Sequence, residues 1–202
     1  MTDYPLASLR ERKKTATKER IYRCALALFR EKGFAATTVE EIAVAAEVAK
    51  GTFFNYFPSK ESVLTYFGER QTLGAADDIA EAVSNTGLTT RKKLERIFAT
   101  LAAGVEEDAE LTRMALFEVL KVPEVLASDH YREIFHNLLT ALLAEGQARG
   151  EVRPALQPDH MAAAIEGVYF QQVFEWARSE KPYSLQQQLQ AVVHVLWIGL
   201  GT

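Results

Sequence analysis

Lys50, Thr52, Asn55, Tyr56 and Lys60 lie close together in the chain, and their types match what a DNA duplex offers at its base edges and backbone. Lysine donates to guanine O6 and N7, asparagine pairs bidentately with adenine, threonine meets a thymine methyl, and tyrosine holds a phosphate. Such contacts read a sequence only when a rigid element presents them together, so the flanking residues must supply one. Thr38 with Glu41 three residues later has capping-box spacing, and Val39, Ile42, Ala43 and Ala46 then fall on one apolar helix face. After a turn at Glu47-Val48, a second short helix is predicted from Lys50 to Phe57, stopped by Pro58, which lacks the amide a helix interior needs. Phe53, Phe57 and Val48 form its inner side and leave the polar set outward. Ser59 is predicted to N-cap the following helix and to set Lys60 beside a DNA backbone.

Two short helices joined by a tight turn make a helix-turn-helix. The segment carrying Gly33, Phe34, Thr37, Thr38, Val39, Ile42, Ala43, Ala46, Val48, Lys50, Gly51, Thr52, Tyr56, Phe57, Lys60 and Glu61 resembles the DNA-binding region of the TetR family of bacterial transcriptional regulators. That resemblance implies DNA contacts by Thr38, Lys50, Gly51, Thr52, Asn55, Tyr56 and Lys60. It also implies a C-terminal helical domain that binds a small molecule and dimerises through its last two long helices. Three positions depart from the family pattern. Glu47 stands where a turn glycine is usual, Ala49 replaces a capping serine, and Phe54 replaces a tyrosine whose hydroxyl reaches a phosphate.

The chain of 202 residues carries a net charge of −4, which by itself argues against a general nucleic-acid binder. The distribution reverses that: residues 1–67 hold eleven Lys/Arg against eight acids, net +3, so the remainder carries −7. Nearly half the residues are apolar, enough for a sizeable core. One cysteine, Cys24, excludes an internal disulfide framework and suits a reducing cytoplasm, and it reads as a small core residue rather than a redox sensor. No signal peptide or membrane span is legible, so a cytoplasmic location is expected.

The first helix is expected to start near Thr15 or Thr17, after a mobile segment, and to close at Gly33. Ile21, Leu28, Phe29, Phe34, Val39, Ile42, Val48, Phe53, Phe57 and Leu64 are the expected core of an N-terminal unit. A helix from Ser59 toward Asn85 follows, with Gly68 and Gly74 expected to weaken its middle and form a hinge. Further helices are expected from Thr90, Leu111, Asp129, Pro158 and about Leu185, with a turn at Asn85-Thr86-Gly87 and a connection over 151–158. The fold class is therefore all-α, about nine helices, in an N-terminal three-helix domain over 1–66 and a larger ligand-binding and dimerisation domain over 67–202.

No Gly-rich phosphate loop, nucleophile elbow or H-E-x-x-H is present. Glu133-x-x-His136 has the step of helical di-iron sites but lacks the second copy these need, and His130, His136, His160 and His194 read as exposed or hydrogen-bonded structural residues. No cofactor or metal is expected. Tyr169, Phe170, Val173, Phe174 and Trp176 spread apolar surface over more than one helix face, as a homodimer through the last two helices requires. Candidates for a small-molecule site are Phe98, Arg113, Met114, Phe117, Glu118, Tyr131, Phe135, Glu166, Tyr169 and Phe170, mostly apolar and thus suited to a lipophilic or aromatic effector. The expected protein is a ligand-responsive repressor that binds a palindromic operator. An activator or ligand-independent DNA-binding protein is the alternative, and a helical enzyme or metal protein a remote one.

Overall fold

The computed structural model describes residues 9–119, 121, 130–180 and 183–201. Among these the regular elements are helices: α1 (Leu9–Lys32), α2 (Val39–Ala45), α3 (Lys50–Tyr56), α4 (Glu61–Ser84), α5 (Thr90–Glu107), α6 (Ala109–Val119), α7 (His130–Ala148), α8 (Pro158–Arg178) and α9 (Leu185–Leu200). The one exception is an isolated antiparallel bridge between Val152 and Gly201. None of the described helices is long and apolar enough to cross a membrane. The chain divides into two compact units between Tyr66 and Phe67.

In the N-terminal unit α1 begins by Leu9, earlier than the threonines suggest. The reason is local. Arg10 to Lys14 are strong helix formers, and the Thr17 hydroxyl bonds back to the Lys13 carbonyl at 2.9 Å, so it sits inside the helix rather than capping it. Gly33, with φ of 85°, ends α1 in the left-handed conformation, its amide donating to Phe29. Ile21, Phe29, Phe34, Ile42, Phe53, Phe57 and Leu64 are buried as expected, joined by Tyr22, Ala25 and Leu26, whereas Leu28, Val39 and Val48 are only partly buried. Tyr22 and Phe57 both pack edge-on against Tyr66, at 5.2 and 5.7 Å between ring centroids. Cys24 is half-buried and donates its thiol to the Ala45 carbonyl at 3.3 Å, linking α1 to α2.

In the C-terminal unit a continuous core joins Leu94, Ile97 and Phe98 of α5, Leu139 and Leu142 of α7, Ile165, Tyr169 and Val173 of α8, and Leu189 and Val193 of α9. The interruption expected at Gly68 and Gly74 is absent, for α4 runs unbroken through both. A helical glycine costs about 1 kcal/mol relative to alanine, too little to break so long a helix. Thr89 caps α5 through its hydroxyl, and the Asn85-Thr86-Gly87 turn closes with the Gly87 amide on Asn85 Oδ1 at 2.9 Å. Lys93 is fully buried and reaches Glu145 of α7 at 3.0 Å, while Arg149 pairs with Glu151 at 2.8 Å. The opening of α7 expected at Asp129 lies outside the described residues.

Candidate nucleic-acid interface and effector site

Helix α2 starts with a complete capping box. The Thr38 hydroxyl accepts from the Glu41 amide at 3.2 Å, and Glu41 Oε2 accepts from the Thr38 amide at 2.8 Å. Lys32 also pairs with Glu41, and with Thr38 it holds that carboxyl down to about 2. The following turn passes through Glu47, whose φ of 51° is left-handed, while the amides of Glu47 and Val48 donate to Val44 and Ala43. This is where the glycine of the resemblance would take positive φ freely; a side chain there is strained. Ala49 N-caps α3 without a side-chain bond, as its missing hydroxyl dictates.

Helix α3 buries Phe53 and turns Lys50, Gly51, Phe54 and Asn55 outward, with Thr52 and Tyr56 half-buried at its sides. Lys50 pairs with Glu40 of α2, an exposed contact that lowers the Glu40 pKa. A Cβ on Gly51 would meet no protein atom, so packing does not demand glycine there. Phe54 lies edge-on to Phe53, about half exposed. Ser59 and Ser62 exchange amide-to-hydroxyl bonds of 3.2 and 3.3 Å, so Ser59 does cap the entry to α4. Lys60 turns inward: its ammonium donates to the carbonyls of Phe34 and Thr37 at 2.7 and 2.8 Å and lies over the Phe34 ring. Sequence reasoning missed that tie, because Lys60 finds partners more than twenty residues away.

The C-terminal candidates fall into two groups. Tyr169, buried, has the rings of Phe98, Phe135 and Phe170 at 5.5, 5.5 and 5.3 Å, and burial pushes its hydroxyl pKa up. One turn away Glu166 is buried, with Oε2 at 3.4 Å from His136 Nδ1, while His136 Nε2 meets Asp159 Oδ1 at 2.8 Å. Asp159, and then Glu166, raise the His136 pKa. The second group lies farther along α8, where the Arg113 guanidinium stacks on Trp176 at 4.7 Å and Phe117 packs against Phe174 at 6.2 Å. Glu118 is drawn off to Lys121 at 2.7 Å, Met114 is half-buried, and the Tyr131 side chain lies outside the described residues. No cluster of metal-binding side chains occurs among the described residues. His136 and His194 are hydrogen-bonded, the latter to Arg91 at 3.1 Å, and His160 is exposed.

Residues 21–67 match the family described as bacterial regulatory proteins, tetR family. The chain is 29% identical to Thermus thermophilus FadR, a TetR-family transcriptional repressor solved with lauroyl-CoA, covering 89% of this chain and 92% of that one at a TM-score of 0.74. It is 26% identical over 185 residues to the fatty acid metabolism regulator protein of Bacillus subtilis, covering 87% of this chain and 91% of the relative. FadR from Bacillus subtilis, solved in complex with stearoyl-CoA, is 25% identical, with 90% and 98% covered and a TM-score of 0.68. Residues 21–67 thus form a DNA-binding region of the TetR family, and the similar full-length regulators support a TetR-family regulator.

The legible motif lies in the first unit. A helix-turn-helix is local, so its caps, turn and breaker sit a few residues apart. The second unit assembles His136, Asp159 and Glu166 from α7 and α8, and Arg113 with Trp176 from α6 and α8. No spacing rule joins residues so far apart.

Proposed function

We propose that this regulator is a homodimeric repressor whose two α3 helices enter successive major grooves of a palindromic operator, and that a long-chain fatty acyl-CoA releases it. The observation that carries the DNA reading is the outward row of α3, where Asn55 and Gly51 share one exposed face beside Lys50. Since no protein atom crowds Gly51, its lack of a side chain suits close approach of a DNA backbone. Asn55 and Thr52 act as base readers, Tyr56 and the Thr38 end of α2 hold phosphates, and Lys50 leaves Glu40 for DNA. Lys60 anchors the loop before α2 and keeps one N–H for a phosphate.

Dimerisation through α8 and α9 is supported by exposed apolar side chains there, Phe170 on α8 and Val195 and Ile198 on α9, which otherwise face water. The effector class is supported by the lauroyl-CoA and stearoyl-CoA complexes of two similar regulators. It is supported independently by the unpaired Arg113 Nε, buried against Trp176, which suits an anionic or carbonyl group of such a thioester. Ligand and operator are then antagonists, with reciprocal coupling of about 1–3 kcal/mol.

Selection of DNA from a random pool, followed by titration of the selected site, tests the reading. Asn55→Ala is expected to weaken binding by roughly 1–3 kcal/mol and to relax preference at one base pair, and lauroyl-CoA to release the wild-type complex. No selected consensus would reject the DNA reading. A consensus complex indifferent to lauroyl-CoA and stearoyl-CoA would reject the effector alone.

A further inference from the structure

Glu166 is 4% exposed, yet among the described residues no group donates to its Oε1. Its other oxygen makes a long 3.4 Å contact to His136, and His136 is shared with Asp159 at 2.8 Å. One turn along α8 lies Tyr169, with Phe98, Phe135 and Phe170 against its ring. Elsewhere in the unit a buried charge is matched with care, since Lys93 meets both oxygens of Glu145 at 3.0 and 3.3 Å. A buried carboxylate oxygen left bare is one of the strongest acceptors a protein interior can hold, and an apolar ligand lying against it would leave it unpaired.

We propose that Glu166 is a specificity subsite that accepts a hydrogen bond from a hydroxyl on the effector, so that the acyl group read by this regulator is a hydroxylated one. The proposal rests on the acyl-CoA reading above and narrows it. A plain alkyl chain satisfies the rings of Phe98, Phe135 and Tyr169 but does nothing for Oε1. A hydroxylated chain satisfies both. Sites built to bond a ligand hydroxyl discriminate strongly against the analogue that lacks it, because the site's own polar atom is then stranded. A neutral donor suits the site better than a cation, since the positive partner of Glu166 is already present as His136, which its two carboxylates hold toward the imidazolium form.

The test is calorimetric titration of the full chain with dodecanoyl-CoA, 3-hydroxydodecanoyl-CoA, 12-hydroxydodecanoyl-CoA and dodecylammonium. At least one hydroxylated thioester is expected to bind tenfold or more tighter than dodecanoyl-CoA. Glu166→Leu should bring the two within about twofold by improving the plain chain, and Glu166→Gln, which keeps a carbonyl acceptor, should retain part of the preference. Should the leucine variant not fold, the wild-type ratio and its reduction in Glu166→Gln decide the matter. Equal binding of plain and hydroxylated thioesters by the wild type overturns this inference and leaves the acyl-CoA reading standing. No binding of any thioester overturns both. Dodecylammonium binding tightest, with the preference lost in Glu166→Gln, replaces the hydroxyl by a cation and overturns the proposal as stated.

Discussion

In the N-terminal unit the buried Thr37 hydroxyl reaches two carbonyls, those of Gly33 at 2.8 Å and Leu28 at 3.3 Å, whereas in the C-terminal unit Arg113 Nε, Thr140 Oγ1 and Glu166 Oε1 are buried without a partner among the described residues. The first unit carries its unspent polar groups on the outside, at Asn55 and Thr52, over an interior of aromatic rings. The second holds polar groups inside. A unit that acts through its surface gains from an interior whose hydrogen bonds are complete, because completeness fixes the shape it presents. Unmatched buried atoms do the opposite and leave free energy for another molecule to recover.

The largest effect that could break this contrast is expected at Lys60. Its charge-assisted bonds to Phe34 and Thr37 make it part of the closed interior, so Lys60→Ala should cost the first unit about 2 kcal/mol of stability, read by urea denaturation. A variant that unfolds like the wild type but binds DNA weakly would return Lys60 to the outer surface. Next comes a pair of opposite sign. Thr37→Val should lower stability by about 1 kcal/mol, since it strands satisfied carbonyls, while Glu166→Leu should raise that of the ligand-free protein by about 1–2 kcal/mol. If both fall, the two interiors do not differ in the way described.

A somewhat smaller gain is expected from Glu47→Gly. Removing the Cβ at a φ of 51° should stabilise the first unit by about 1 kcal/mol, visible as a higher melting temperature, with the selected operator unchanged. The smallest effects concern pH, and their signs differ between the units. Glu41 has its pKa lowered to about 2 by Lys32 and Thr38, so its contribution is present above the ordinary carboxylate range and lost as pH falls toward that value. His136 has its pKa raised, chiefly by Asp159, so its contribution is complete below about 6.5 and lost as pH rises through the folded-state pKa. Melting curves of Glu41→Gln and His136→Gln should therefore approach the wild type at opposite ends of the pH scale, the first on acidification and the second in alkali. Convergence of both at the same end would contradict the ion pairs assigned.

The amino-acid sequence by itself determined the helical class, the helix-turn-helix with its capping box at Thr38, the closure of α1 at Gly33 and the strained turn at Glu47. Each depends on residues within a few positions of one another, where backbone preference and hydrogen-bonding reach decide the outcome. It misjudged the start of α1, because threonines that can cap a helix can also bond back within one, and it overstated Gly68 and Gly74, because a penalty of about 1 kcal/mol is small against the packing of a long helix. What only tertiary structure decided is which polar atoms are spoken for. Lys60 has the right type and position for a phosphate, and two carbonyls from before α2 take two of its three N–H groups. Glu166 stood in the sequence as one of several effector-site candidates, yet only packing buried it beside His136 and left one oxygen bare. Hydrogen-bond satisfaction is a property of neighbours in space, and neighbours brought from other helices leave no periodic trace along the chain.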